Sequence, residues 1–402
     1  MCLDNITHSL FGAAVAEVAQ PESASAAERR LFMAGSILAA NLPDIDLIYT
    51  GITPAPLGYL LHHRGHTHTI AGLLGLSLIL AIAVRFSPNA RRLTSAHRLR
   101  LWGALGLNLV AHVSLDGLNT YGVHPFFPFD ARWFYGDAVF IFEPWLWMLL
   151  GVAALRNAHR PSWRGLTAVL LAILIVAVGA LGVVTVTAAA VLAISAVVLG
   201  IATKDTSRPG RSAIALAGTA FFVTGMFGIS RMARTQVLGA VAQDSRGEIV
   251  DVVLSPDPAV PICWTVIVLE RNAASGDLIS RSGTFSMMPR LHPPSACVSR
   301  RFMPGENGPL SSPGAIAWSD EFHDPVARLR LLYDRDCWVR AWLQFGRAPA
   351  LRDGRILDLR FDTGVRSNFS AMRIPAASPS AGCPAHVTAW GLPRGDVLGV
   401  SR

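Results

Sequence analysis

Histidine and carboxylate side chains that could bind a metal ion are concentrated in the first third of this 402-residue chain. They occur beside strongly apolar runs, where an ionisable group is costly unless it has a partner or a water-filled cavity. Imidazole nitrogens together with carboxylate oxygens suit zinc, iron or manganese. The sequence therefore predicts a divalent metal centre, with Zn²⁺ as the preferred ion. The residues that we predict as its ligands are His8, Asp44, His63, His68, His112 and Asp116.

Two of these stretches have a spacing that fits metal ligation by a helix or a helix end. His112 and Asp116 are four residues apart, so they share one helical face, although a simple His–Asp hydrogen bond has the same spacing. Asp44 and Asp46 follow Pro43, which favours termination of the preceding helix. Solvated acids at a helix end would look the same. We predict Asp44 as a direct ligand, and Asp46 as a carboxylate that either orients imidazoles or acts as a general base.

The most informative stretch is H-H-R-G-H-T-H at residues 62–68. His63 and His68 are the predicted ligands there, and Gly65 permits a close approach of the backbone. Arg64 could hold an anionic group such as a phosphate. Asp46 and Arg64 are thus the predicted catalytic residues. A His-rich cytoplasmic tract is the alternative. We expect the remaining histidines not to bind the metal: His62, His66, His97, His124, His159, His292, His323 and His386, of which His124 is expected to line the site.

The composition indicates a membrane-embedded protein. Hydrophobic residues make up 51% of the chain and charged residues 15%, with a mean hydropathy of +0.41. The net charge of +8 is due almost wholly to arginine, since Lys204 is the only lysine. No basic run with interleaved aromatics is present, so we expect the lipid bilayer and not nucleic acid as a partner. We also expect no cleavable signal peptide, because a basic N-terminal region is missing.

The apolar runs predict a membrane-embedded helical bundle of about six to eight apolar helices, followed by a soluble β-rich C-terminal domain. Only the run 166–184 approaches the roughly 20 residues of a full span. The predicted domains are 1–155, which carries the metal residues, 156–230 with additional transmembrane helices, and the C-terminal domain 231–402. Alternating patterns predict strands at 249–254, 264–269, 339–345 and 356–361.

Basic residues are distributed unequally between the two ends of such a bundle. If the helices alternate in direction, the metal residues meet at one end with only Arg64 and Arg132, whereas thirteen basic residues lie at the other. The positive-inside rule then places the arginine end in the cytoplasm of a bacterial inner membrane and the metal end, with the C-terminal domain, in the periplasm or exterior. Four cysteines in that domain could pair in an oxidising compartment, or remain unpaired in a cytoplasmic core: Cys263, Cys297, Cys337 and Cys383.

The motifs in residues 1–150 resemble the YdjM-like, LexA-regulated, membrane-bound metal-dependent hydrolases. That pattern is T-H-x-x-x-G, L-P-D-x-D, H-R-G-x-T-H-S, H-x-x-x-D followed by N-x-Y-G, and D-x-x-x-I-x-D-P. The chain has these motifs in order, at 7–12, 42–46, 63–69, 112–122 and 137–144. Thr69 replaces the usual serine, Glu143 replaces the usual aspartate, and His66 stands where an apolar residue is common.

This resemblance implies a membrane-bound, metal-dependent hydrolase. We predict that a metal-activated water attacks a phosphoester or lipid-linked substrate. The order of ligands is also distantly similar to zinc-dependent phospholipase C and to fungal zinc nucleases. By that analogy, Arg64 would stabilise developing charge and Asp46 would accept a proton. The alternative is a non-enzymatic membrane protein with a structural metal site and a partner-binding C-terminal domain. A transporter is less favoured, since the later apolar runs contain no acids.

Overall fold

The computed structural model describes residues 5–158, 182–298, 314–362, 368–374 and 382–400, with isolated positions between 161 and 179. The predicted span 166–184 lies mostly outside the described residues. The N-terminal half contains helices α1 (Asn5–Ala19), α2 (Ala26–Asn41), α3 (Leu57–His62), α4 (Ile70–Phe86), α5 (Pro88–Arg91), α6 (Ser95–Asp116), α7 (Pro144–Asn157), α8 (Val186–Ala202) and α9 (Arg208–Val241), with 3-10 helices at Leu42–Ile52 and His66–His68.

Side-chain caps fix where these helices begin. The Ser25 hydroxyl accepts from the Glu28 amide, and the Glu28 carboxylate accepts from the Ser25 amide, a capping box that starts α2. Thr69 caps α4 by accepting from the Gly72 amide. This cap sets the start of α4 directly after His68, so that a ligand-type histidine lies at the entrance to an apolar helix.

The prediction of six to eight membrane-spanning helices is wrong. Within the described residues, two helical stretches are long and apolar enough to cross a membrane, Ala26–Ile52 and Arg208–Val241. A third is possible if Leu57–His68 and Ile70–Phe86, which meet at a 67° bend, form one broken span. The apolar runs overestimated the number because most of them form shorter helices. Val186–Ala202, for instance, reaches only about 25 Å at 1.5 Å per residue.

Helix α1 lies at the centre of the N-terminal region and packs against α2, α6, α7 and α9. Its contact with α2 is close: a Cβ built at Gly12 would lie 2.8 Å from the Ser36 carbonyl oxygen. A side chain at this position would therefore push the two helices apart. This packing brings the N-terminal end of α1, with His8, next to the C-terminal end of α2.

The C-terminal part contains a β-sheet region, as predicted. Strands β1 (Glu248–Asp257), β2 (Val260–Asn272), β3 (Asp277–Ser286) and β4 (Ile316–Pro325) form an antiparallel sheet in sequence order. A second sheet contains β5 (Pro349–Arg352), β6 (Arg355–Asp358) and β7 (Met372–Arg373). The remaining helices are α10 (Val326–Arg335), α11 (Cys337–Leu343) and α12 (Gly395–Leu398).

The strand predicted at 339–345 is wrong, because this stretch begins in helix α11. The Asp336 side chain accepts hydrogen bonds from the Trp338 and Val339 amides, which is an N-cap that the alternation pattern does not include. The four cysteines form two disulfides, Cys263–Cys297 and Cys337–Cys383. Cys337 starts α11, so the second disulfide ties this helix to the segment 382–400.

Two cores join the C-terminal region to the end of the helical region that carries the metal residues. One core packs Leu57, Leu60 and Leu61 of α3 with Trp342 and Phe345. The other contains Leu115 and Leu118 at the end of α6 together with Trp264 and Val268 of β2. Helix α9 connects the two ends of the molecule, since Arg208 at its start pairs with Glu17 at 2.6 Å and its last turns enter the second core.

Candidate metal centre

Four buried side chains converge in a geometry that fits a tetrahedral cation: Asp44, His68, His112 and Asp116. His68 Nε2 lies 3.2 Å from both His112 Nε2 and Asp116 Oδ2. Asp44 Oδ1 lies 3.5 Å from His112 Nε2 and 3.7 Å from His68 Nε2. Ligand atoms at about 2.0–2.1 Å from a zinc ion are about 3.3–3.4 Å apart in a tetrahedron. These four residues can therefore enclose one ion with little rearrangement.

His8 provides a fifth ligand-type atom at the edge of this group. Its ring stacks on that of His112 with 3.9 Å between centroids, and its Nε2 lies 3.4 Å from Asp116 Oδ1. Among the described residues, His8 Nε2 has no hydrogen-bond partner. A buried imidazole nitrogen that lies near a carboxylate and lacks a hydrogen bond fits a metal ligand or a residue beside the metal.

Contacts at their Nδ1 atoms orient the imidazoles of His112 and His68. His112 Nδ1 lies 2.6 Å from the Ala40 carbonyl oxygen, which can only accept, so Nδ1 carries the proton and Nε2 presents its lone pair. His68 Nδ1 lies 3.1 Å from Asp46 Oδ2 and is oriented in the same way. A carbonyl or carboxylate behind each imidazole is the usual support of a metal-binding histidine. Asp44 is held by Asn5, whose side-chain amide donates to its Oδ2 at 3.0 Å.

Asp46 supports the cluster and lies outside the group of four. Its carboxylate accepts from the Arg64 amide at 2.9 Å and from the Thr67 hydroxyl at 2.8 Å. It also contacts the Nδ1 atoms of His63 and His68 at 3.2 and 3.1 Å. Both oxygens are thus engaged and the residue is fully buried. This geometry fits the orientation of two imidazoles better than the proton transfer predicted for Asp46.

His63 lies beside the four-ligand group, together with Asp44 and Asp46. Its Nδ1 is bonded to Asp46, whereas its buried Nε2 has no hydrogen-bond partner among the described residues. The predicted ligand set is therefore divided. Asp44, His68, His112 and Asp116 form the centre, His8 borders it, and His63 lies next to it.

Arg64 contacts the cluster through its side chain, which lies against Asp116. It is fully buried with φ at 58°, and its Nε lies 3.0 Å from Asp116 Oδ2. Its Nη1 donates to the Asp116 carbonyl at 2.8 Å and to Asn119 Oδ1 at 3.1 Å. Nη2 has no hydrogen-bond partner in the described part of the chain. Most of the guanidinium group thus positions Asp116 and the loop after it, and one nitrogen remains available to an anion.

A comparison with known protein families finds a match for the part of the chain that carries the candidate metal centre. Residues 3–191 match the YdjM inner membrane protein family. This match confirms the YdjM family predicted from the motifs for residues 3–191, and the family is one of inner membrane proteins. It does not extend to the LexA regulation or to the hydrolase activity that the resemblance implied. The uncharacterised protein YfhP of Bacillus subtilis (strain 168) is 29% identical over 178 residues, which are 43% of this chain and 52% of YfhP. The chain thus spans about half the length of this relative. No solved structure matches the chain.

The last acidic motif of the YdjM pattern does not contribute to the metal centre. Asp137 pairs with Arg347 of the C-terminal region at 2.7 Å. Glu143 caps α7 by accepting from the Trp145 amide and also accepts from the Ala259 amide at 3.2 Å. Burial raises the pKa of Glu143 to about 8. Both acids therefore join the YdjM region to the C-terminal region.

The histidines that we expected not to bind the metal lie outside the four-residue group. His62 Nε2 is bonded to the Thr53 hydroxyl at 2.8 Å, and His66 is exposed beside Trp390. His124 is buried between the rings of Trp133 and Trp390, with both centroids within 4.4 Å. His97 pairs with Glu28 at 3.0 Å. His323 pairs with Glu321, His292 and His386 lie in the C-terminal region, and His159 lies outside the described residues.

The sequence did not predict the residues that the C-terminal region contributes around the centre. Arg360 Nη1 donates to the Thr120 carbonyl at 2.7 Å, in the loop that Arg64 also holds. Trp390 Nε1 donates to the Leu61 carbonyl at 2.7 Å, just before the histidine-rich motif. Arg360 and Trp390 lie beyond the residues matched by the YdjM family, and each contact joins positions more than 200 residues apart. No local sequence pattern carries such a signal.

Proposed function

We propose that this protein is a membrane-bound, metal-dependent hydrolase whose substrate is a phosphoester. The observation that carries the proposal is the approach of Asp44, His68, His112 and Asp116 at spacings that fit a tetrahedral divalent metal, preferably Zn²⁺. The hydrogen-bond partners of the two imidazoles also fit a metal site, since the Ala40 carbonyl orients His112 and Asp46 orients His68. Membership of an inner membrane protein family supports the membrane location.

The side chains around the centre have distinct roles in such a reaction. A bound divalent metal would lower the pKa of a water molecule and polarise a phosphoryl oxygen. Arg64 Nη2 is the group available to an anionic oxygen, since the other nitrogens of this guanidinium contact Asp116 and the loop. His63 Nε2 carries a lone pair and has no hydrogen-bond partner in the described residues, so it suits proton acceptance better than the engaged Asp46.

The surface next to the centre favours a lipid-linked phosphoester. The 3-10 helix Leu42–Ile52 directs Asp44 and Asp46 inward, and the same helix exposes apolar side chains. Ile45, Leu47 and Ile48 are 42%, 41% and 81% exposed. Exposed apolar residues of this kind in a membrane protein are suited to contact with acyl chains. A substrate held in the bilayer would thereby present its headgroup beside the carboxylates.

A structural metal site in a non-enzymatic membrane protein is the second candidate. It is favoured by the burial of the four groups, of which Asp44 is the most exposed at only 7%. A structural site has all four positions occupied by protein ligands, whereas a catalytic site keeps one position for water or substrate. In a hydrolase, therefore, one of the four carboxylate or imidazole groups would yield its place to water, or the ion would take water as a fifth ligand.

We expect the full-length protein to hydrolyse a phosphodiester such as a phospholipid or a chromogenic bis-aryl phosphate. Activity should be abolished by a chelator and restored by added zinc, because the attacking water depends on the metal. His112→Ala should abolish the activity, and the matched control His323→Ala, on the surface of the C-terminal region, should retain it. Cleavage of acyl esters or peptides with no cleavage of phosphoesters would contradict the phosphoryl assignment.

We propose that the metal end and the C-terminal region face the periplasm or exterior. The support is the excess of arginine at the opposite end and the two disulfides, which form in oxidising compartments. In a fusion after Arg402, alkaline phosphatase should be active and a cytoplasmic fluorescent reporter should be dark. The same reporters inserted after Asn89, at the arginine end, provide the control and should give the reverse pattern. A bright fluorescent fusion after Arg402 would contradict this orientation.

A further inference from the structure

A cavity of about 640 Å³ lies between α4, α5 and α6, at the end of the helical region opposite the metal residues. Helix α4 starts beside His68 and ends at this cavity, and α6 starts at the cavity and ends at Asp116. Three arginines line the cavity together with apolar side chains: Arg85, Arg91 and Arg98, with Ala81, Ile82, Val84, Phe86, Ala90 and Trp102. It therefore combines positive charge with an apolar wall.

The three arginines give this cavity a positive charge. Within the part of the chain that the structure describes, none of the three arginines forms an ion pair with a carboxylate. Two of the guanidinium groups are nevertheless oriented by backbone carbonyl groups. Arg91 Nε donates to the Arg85 carbonyl at 3.0 Å, and Arg98 Nη2 donates to the Leu93 carbonyl at 3.2 Å. The remaining N–H groups of both are left to donate to an anion.

The apolar wall of the cavity continues along the lipid-facing side of α4. Leu78, Ile82 and Phe86 are 62%, 52% and 68% exposed on this helix, which is part of the bent candidate span. Trp102 is half-buried at the cavity, and tryptophan is enriched where a membrane meets water. Because α4 belongs to a candidate span, we expect the three arginines at its end to lie at the level of lipid headgroups, next to an exposed apolar surface that acyl chains can cover.

We propose that this cavity binds the phosphate headgroup of an anionic phospholipid from the leaflet on the arginine side, with its acyl chains along α4. Basic pockets between membrane helices suit anionic headgroups, and each arginine adds to the attraction. Arginine also matches phosphate oxygens with paired N–H donors. This site is separate from the proposed metal centre and does not depend on the proposed hydrolysis.

The test is lipid binding by delipidated full-length protein in a neutral detergent, with phosphatidylglycerol and phosphatidylcholine as probes and native mass spectrometry as the readout. The cavity variant is Arg85→Gln/Arg91→Gln/Arg98→Gln. The matched control is Arg29→Gln/Arg30→Gln/Arg92→Gln, which removes three exposed arginines from the same end but outside the cavity. We expect the wild type to prefer phosphatidylglycerol, the cavity variant to bind it at least about tenfold more weakly, and the control to stay within about twofold.

Three results would overturn the proposal. The wild type could bind both lipids equally, the control could lose as much affinity as the cavity variant, or inorganic phosphate at millimolar concentration could displace the lipid completely. The first would show that headgroup charge does not select the lipid, the second would indicate a general charge attraction, and the third would indicate a site for free phosphate. Metal content and circular dichroism of the cavity variant should match the wild type, which separates this result from misfolding and from failure of the metal centre.

Discussion

The double variant His112→Ala/Asp116→Ala is expected to lose the bound metal, whereas the wild-type protein purified without chelators should carry at least one equivalent of zinc or another divalent transition metal. The physical reason is that these two residues supply two of the four converging ligand atoms, one turn apart at the end of α6. Loss of two ligands from a four-ligand site leaves too few donors to hold the ion. Elemental analysis of purified protein measures the result.

The matched control is His323→Ala/Glu321→Ala, which removes another adjacent histidine–carboxylate pair, on the surface and at 2.8 Å. It should retain the metal in full. Asp46→Asn provides a graded test, since loss of a carboxylate behind ligating histidines weakens metal affinity by about 10–100-fold. If Asp46 acted only as a general base, the variant would bind metal normally and lose turnover. A metal-free wild type would remove the metal centre and the hydrolase proposal together.

Much of the candidate site was predictable because its residues lie in short motifs at helix ends. The i, i+4 spacing of His112 and Asp116 fixed their common direction in any helix. The sequence predicted Asp44 as a direct ligand but left Asp46 open between orienting imidazoles and accepting a proton, since the 3-10 helix that directs one to the cluster and the other behind His68 is set by packing. Arg64 was likewise ambiguous, because its left-handed backbone turns the side chain toward Asp116 and not toward solvent.

The architecture was predicted less well, for two physical reasons. An apolar run records burial in lipid or in protein alike, so short buried helices were counted as spans. Leu101, Leu105 and Leu109 of α6, for example, pack in a protein core with Phe32 of α2. The C-terminal region was recognised as β-rich, but its association with the metal end depends on contacts between residues far apart in sequence. The pairing of Asp137 with Arg347, 210 residues away, is such a contact.

The second large effect that we expect is a loss of stability when Arg347 is replaced, since this residue joins the YdjM region to the C-terminal region through a buried ion network. Arg347 donates twice to Asp137 at 2.7 Å and contacts Asp251 at 2.9 Å, with 4% of the residue exposed. Its guanidinium group also stacks over the Tyr135 ring at 4.0 Å. Arg347→Gln would leave two carboxylates buried without their common partner. We expect the free energy of unfolding at pH 7 to fall by about 3–5 kcal/mol.

This loss should depend on pH. Although burial opposes ionisation, Arg347 and the neighbouring arginines lower the pKa of Asp251 from 3.8 to about 2. The stabilisation is therefore present above pH 3.8 and is lost as the pH falls through about 2. Burial raises the pKa of Asp137, the other carboxylate partner of Arg347, so this pH window applies to the contribution of Asp251. That contribution to the difference between wild type and variant should be largest at neutral pH and should shrink below pH 4. Denaturant unfolding of the full chain in detergent measures it, and the surface control Arg352→Gln should lose less than about 1 kcal/mol.

The same substitution is expected to weaken metal binding, although Arg347 lies outside the centre. Asp137 precedes Ala138, whose amide donates to the Leu118 carbonyl at 2.9 Å, in the loop that directly follows the candidate ligand Asp116. Release of Asp137 therefore loosens the loop that Arg64 and Arg360 hold around Asp116. Zinc affinity, measured by competition with a chelating dye under conditions where both proteins are folded, should fall in Arg347→Gln and remain unchanged in Arg352→Gln.

The double variant Arg347→Gln/Asp137→Asn tests whether the unpaired charge causes these losses. It removes one unpaired carboxylate, so it should restore part of both the stability and the zinc affinity. A variant that is destabilised yet binds zinc as tightly as the wild type would show that the C-terminal region stabilises the fold without supporting the metal centre.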